Sequence, residues 1–115
     1  MEVYVSERRI SPRHSFRTAL RVRVCRSGPD EKRAESENLS DRGTLFATNE
    51  HLTIGSAIEI LLRMPQEITG KPATEWRCTG HVVRLEASAS GRGKTGVAVQ
   101  FDCYEILHSK MGFQI

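Results

Sequence analysis

The sequence predicts an all-β protein: a six-stranded antiparallel β-barrel with a flexible N-terminal arm and a short C-terminal helix. Three observations carry this. Six segments place apolar and polar residues in the alternation that half-buried strands require. Short stretches rich in Gly, Pro, Asn and Ser join them at hairpin-like spacings. Across residues 18–102 no helical period of any length interrupts the series, so the strands must bury their apolar faces against one another. A chain of 115 residues is enough for one such core and too short for two.

Taken in order, residues 1–17 hold neither period. Pro12 disfavours helix at Ser11, and the stretch reads as an arm that moves unless something ties it down. Thr18, Leu20, Val22 and Val24 then share one face of a strand, with Ala19, Arg21, Arg23 and Cys25 on the other. Ser27-Gly28-Pro29-Asp30 is a turn signal, and Arg33–Leu39 reads as a polar return strand. Thr44–Thr48, carrying Leu45 and Phe46, is a short strand, and Asn49–Ser56 is a connection. Ile58, Ile60, Leu62 and Met64 alternate with Ala57, Glu59, Leu61 and Arg63 until Pro65 stops the strand. Gln66–Ala73 reads as a loop.

Thr74–Leu85 aligns Trp76, Cys78, Gly80 and Val82 on one face, and a glycine inside a strand marks a bulge or bend. Ala87–Gly93 is turn-like, and Thr95–Phe101 points Val97, Val99 and Phe101 inward. Asp102-Cys103-Tyr104-Glu105 has the capping-box spacing. It predicts a short helix over Tyr104–Met111, with Ile106, Leu107 and Met111 covering an open end of the barrel. The chain thus divides into an arm (1–17), a barrel (18–102) and a helix or tail (103–115).

Charge is distributed unevenly. Residues 1–26 carry seven arginines against Glu2 and Glu7, a net +5, while the remainder carries ten Lys/Arg against twelve Asp/Glu, a net −2. A basic arm on a mildly acidic body points to an anionic partner. The arm's cations are all arginine, the residue suited to gripping phosphate, pairing with a base edge or stacking on a ring. No apolar run is long enough to span a bilayer, and the first residues lack a signal peptide's pattern. Three widely spaced cysteines, Cys25, Cys78 and Cys103, argue against a disulfide framework and for a reducing, cytoplasmic setting. Their expected role is as small buried hydrophobes.

Several chemical motifs fail on inspection. Gly91-Arg92-Gly93-Lys94-Thr95 lacks the first glycine of a phosphate-binding loop, because position 88 is Ser88, and a strand follows it. Cys78 and His81 fall on opposite faces of a strand, so no metal site is expected. Ser40, His81 and Asp102 have the residue types of a hydrolytic triad, but no spacing sets a base beside a nucleophile. No catalytic residues and no cofactor are expected.

Two short motifs remain. Arg9 and Arg13, separated by three residues in a Pro-bearing arm, can converge on one object. Asn38-Leu39-Ser40-Asp41-Arg42-Gly43, read alone, is a turn between two strands. Together and in this order, Arg9-x-x-x-Arg13 and Asn38-x-Ser40-x-x-Gly43 resemble the PilZ domain family of bacterial cyclic di-GMP receptors. The resemblance runs from about Glu7 to Phe101 and includes the closing Gly96-Val97-Ala98-Val99-Gln100-Phe101.

The resemblance implies a PilZ-type barrel and a cyclic di-GMP site made of Arg8, Arg9, Arg13, Asn38, Ser40 and Gly43. Arg9 and Arg13 can bond guanine O6 and N7 or meet phosphate. Asn38 offers a donor and an acceptor, Ser40 a hydroxyl, and Gly43 a close approach to backbone. Arg8 stands where a basic residue is associated with a second, stacked ligand molecule, so a ligand dimer is expected. The arm would close over the ligand at an ordering cost of about 2–5 kcal/mol and signal to an effector protein. Two alternatives stand beside this reading: a PilZ-like adaptor that binds protein without nucleotide, and a small barrel for single-stranded nucleic acid. The latter needs aromatics among its basic residues, and only Phe16 lies near the arginines.

Overall fold

The computed structural model describes residues 16–25, 31–87 and 93–107. Six strands form: β1 (Ala19–Val24), β2 (Lys32–Ser40), β3 (Gly43–Thr48), β4 (Ala57–Met64), β5 (Thr74–Ala87) and β6 (Thr95–Leu107). They close into a barrel in the order β1-β2-β3-β6-β5-β4, and β4 pairs back onto β1. Every pairing is antiparallel. The expected turn at Ser27–Asp30, most of the one at Ala87–Gly93, and the arm's Arg8, Arg9 and Arg13 lie outside the described residues.

The alternation read from sequence is the alternation of burial. Leu20 and Val22 point in while Ala19 and Arg21 are exposed, and Ile58, Ile60, Leu62 and Met64 line the interior opposite them. Trp76, Cys78 and Val82 from β5 and Val97 and Val99 from β6 complete one core around Phe46. Closure removes exposed sheet edges around this core, which is how a short all-β chain avoids edge-to-edge association.

The barrel takes hold of the chain at Phe16. Its ring packs against the core, and its carbonyl accepts the hydroxyl of Ser36, a side chain with no solvent exposure. The same hydroxyl accepts the N–H of Thr18 at 2.9 Å, and the Ser36 N–H donates to the Thr18 carbonyl at 3.0 Å. A buried serine is thereby fully satisfied. Arg17 follows and pairs with Glu35 at 3.4 Å.

Two local expectations are corrected. The loop after Pro65 contains one helical turn, α1 (Gln66–Thr69), ended by Gly70 at φ 79, a left-handed dihedral that glycine adopts without penalty. The helix expected over Tyr104–Met111 does not begin at Tyr104, because β6 continues through Leu107; residues 108–111 lie outside the described part. The cause is competition for Asp102. Its carboxylate accepts the His81 Nδ1–H at 2.9 Å instead of capping a helix. Beyond it, β5 offers a partner from Glu75 to Thr79, and Tyr104 and Ile106 pair with Cys78 and Trp76.

The cysteines also divide. Cys78 is buried as expected, whereas Cys25 and Cys103 are exposed and all three are free thiols. Burial, with a smaller contribution from Cys103, pushes the Cys78 thiol from 9.0 up to about 12. The folded thiol stays protonated where the unfolded one ionises, so stability falls as pH rises from about 9 towards 12. Urea midpoints measured across that window should fall less steeply for Cys78→Ala than for wild type. Parallel curves would contradict the assignment.

Among the described residues no helix is long and apolar enough to cross a membrane.

Candidate functional site

The β2–β3 turn is built from its own side chains. Ser40 Oγ accepts the N–H of Arg42 at 3.0 Å, the local bond through which serine favours turns. Thr44 Oγ1 donates to the Asn38 carbonyl at 2.8 Å, locking one strand of the hairpin to the other. The Arg42 carbonyl accepts the N–H of Phe101 at 2.8 Å, which ties the turn to β6.

A bulge decides which way this hairpin points its polar groups. Ser36 and Leu39 are both fully buried, yet residues three apart in a regular strand face opposite sides. The register of β2 on β3 shifts between Ser36 and Asn38, and the extra residue, Glu37, lets both point inward. Asn38 and Ser40 consequently share the other face. Bulges re-aim side chains in this way beside functional sites.

Two more bulges lie opposite, between β5 and β6. The pairing skips Asp102 between Thr79 and Gly80, and skips Val83 between Val82 and Arg84. Glycines permit the close packing that results. At Gly80 a Cβ would strike the Gln100 carbonyl oxygen and lie 2.9 Å from its carbon; at Gly43 one would strike the Val99 carbonyl oxygen. Strand β6 therefore passes between two glycines, one on each neighbour. The glycine of the Asn38–Gly43 motif is demanded by this packing independently of any ligand.

Where the three bulges meet, the barrel wall is hollowed into an open cavity of about 620 Å³. Asn38, Ser40 and Gly43 stand together along it, with Arg42 beside them; Val83, Arg84 and β6 from Ala98 to Tyr104 supply the rest. Among the described residues the Asn38 carboxamide has no hydrogen-bond partner, and the Ser40 hydroxyl accepts the Arg42 N–H but donates to none. Both are poised for a ligand with acceptors and donors of its own. Arg84 is drawn towards Glu86 at 3.5 Å.

The structure thus brings together three of the six residues expected to bind ligand. Sequence reasoning missed Thr44, whose hydroxyl braces Asn38, and Tyr104, which the expected helix would have carried elsewhere. It also missed the pairing of His81 with Asp102. Among the described residues no hydrogen bond joins that pair to Ser40, whose hydroxyl accepts the Arg42 N–H. Among the described residues no group of three or more His, Cys, Asp or Glu is placed to hold a metal ion.

The family model of the PilZ domain matches residues 7–106. The chain belongs to the PilZ domain family. PilZ domains are cyclic di-GMP receptor and adaptor domains, and the match takes in both Arg9-x-x-x-Arg13 and Asn38-x-Ser40-x-x-Gly43. Among solved structures, the inhibitor of motility MotI/DgrA of Bacillus subtilis shares this PilZ fold with a TM-score of 0.66 and 17% identity. The likeness covers 86% of this chain and 44% of that one, so the chain spans under half the length of that protein. No curated protein matches the sequence.

Proposed function

We propose that this PilZ domain is a cytoplasmic bacterial receptor that binds cyclic di-GMP through Arg8, Arg9, Arg13, Asn38, Ser40 and Gly43. The observation that carries the proposal is the convergence of Asn38, Ser40 and Gly43 on one cavity, in a chain that also has the family's paired arginines. In this reading the barrel provides the fixed wall. Asn38 bonds a base edge, Ser40 donates its hydroxyl to the ligand, and the turn's ties to β3 and β6 hold both in place. The arm's arginines add to the cations already on the wall, Arg42 and Arg84. Two phosphates require cationic partners, and guanidinium forks match both phosphate and the O6/N7 edge of guanine.

Closing the arm over the nucleotide changes the surface offered to an effector protein, which is how a domain without chemistry of its own transmits a signal. Arg8 provides a further cation for a second, stacked ligand molecule. Of the acidic neighbours Glu35, Glu37 and Asp41, Glu35 pairs with Arg17 at 3.4 Å, and Asp41 lines the cavity.

Titration of Ser40→Ala with cyclic di-GMP tests the assignment of the wall. Loss of one hydrogen bond to a charged ligand, together with a loosened turn, should weaken binding about ten-fold. Affinity equal to that of wild type would remove Ser40 from the site. Gel shifts with oligonucleotides separate the nucleic-acid alternative, because such binding would weaken steeply with salt.

A further inference from the structure

Tyr104 occupies a place that no motif accounts for. Strand β3 makes its last pairing with β6 at Gly43 and Gln100, so from Asp102 onward β6 has β5 on one side and, among the described residues, no strand on the other. Tyr104 lies on this free stretch and lines the cavity shared by Asn38, Ser40 and Gly43.

The ring is held from behind. Tyr104 stacks on Trp76 with centroids 4.0 Å apart and planes 12° from parallel. Trp76 is only 6% exposed and belongs to the core, whereas Tyr104 is 51% exposed. One face of the tyrosine is therefore covered by the indole, and among the described residues no other ring stacks on it. A half-exposed aromatic would ordinarily sample several rotamers, and stacking on an immobile indole removes most of that freedom before any ligand arrives.

We infer that Tyr104 is a stacking platform for a purine base of the bound nucleotide, extending the pair Trp76–Tyr104 into a three-ring stack. The inference rests on the cyclic di-GMP reading and adds an apolar contact to a site otherwise made of arginines and hydrogen bonds. Stacking tolerates any base because each has a π-face. The platform supplies affinity and position, and base selectivity falls to groups that reach the base edge.

Calorimetric titration of the full chain with cyclic di-GMP tests this, using wild type, Tyr104→Leu, Tyr104→Phe and Ile106→Ala. Tyr104→Leu should bind about ten-fold more weakly, while Tyr104→Phe, which keeps the ring, stays within about two-fold. Ile106→Ala, altering the neighbouring half-exposed apolar residue, should leave affinity unchanged. Trp76 is the only tryptophan of the chain, so its emission should change saturably as wild type fills.

Wild-type binding that Tyr104→Leu retains within about two-fold overturns the platform and leaves the receptor reading intact. Absence of wild-type binding overturns the receptor reading and this one with it. Should Tyr104→Leu fail to fold, saturation of wild type with no change in Trp76 emission overturns the platform alone.

Discussion

Gly80→Ala should lower the thermal midpoint by roughly 10 °C or more, corresponding to about 3 kcal/mol in a domain of this size. The side chain added is a single methyl group, but it has nowhere to go. It would overlap the carbonyl oxygen of Gln100 and lie 3.0 Å from the Cα of Phe101, and backbone of a closed barrel cannot yield as a flexible side chain does. Relief requires β5 and β6 to separate where their pairing is bulged, next to the Val82–Val99 contact of the core. The same substitution at Gly55, where nothing lies within 4 Å of an added Cβ, meets no such collision; its cost comes from the φ of 93 alone. Differential scanning calorimetry of the two variants checks the contrast. A Gly80→Ala midpoint equal to that of wild type would show that the strands are less closely packed than described.

If the proposed site holds, Arg9→Ala should weaken cyclic di-GMP binding between about ten-fold and a hundred-fold, the range for losing a charge-assisted, two-pronged contact. Arg9→Lys should recover little of this. Lysine keeps the charge but loses the planar fork that bonds two acceptors at once and stacks on a purine. Equilibrium dialysis with labelled ligand distinguishes the cases. Full recovery by lysine would mean that Arg9 acts only as a point charge near phosphate. Unchanged binding by Arg9→Ala would take Arg9 out of the site.

The barrel was legible because its signals are local. Alternation at Leu20/Val22, Ile58–Met64 and Val97/Val99 specifies which face is buried whatever the neighbours do. Gly80 announced its bulge in the same local way, since a glycine within an apolar strand marks a bulge or a close approach of backbone. The bulge at Glu37 was silent. Glu35-Ser36-Glu37-Asn38 carries no apolar pattern to break, and only the burial of both Ser36 and Leu39 reveals the extra residue.

The expected helix at Tyr104 failed because a capping signal is a contest between local and distant partners. Asp102 had an imidazole on β5 to bind, and Tyr104 and Ile106 had the edge of β5 to pair with. The motif named Asn38, Ser40 and Gly43, which line one cavity, but the motif alone misstates why Gly43 is there. Its hydrogen side chain is required by Val99 of the neighbouring strand, so Gly43→Ala tests the fold as much as the ligand site.

Whether Asn38, Ser40 and Gly43 together with the paired arginines form a cyclic di-GMP site is decided by calorimetric titration of the wild-type protein with that nucleotide. Saturable heat at micromolar ligand is expected, with a stoichiometry near two molecules per chain if Arg8 holds a stacked pair. No heat at tens of micromolar would contradict the site, and would leave a PilZ barrel that acts on its protein partners without the nucleotide.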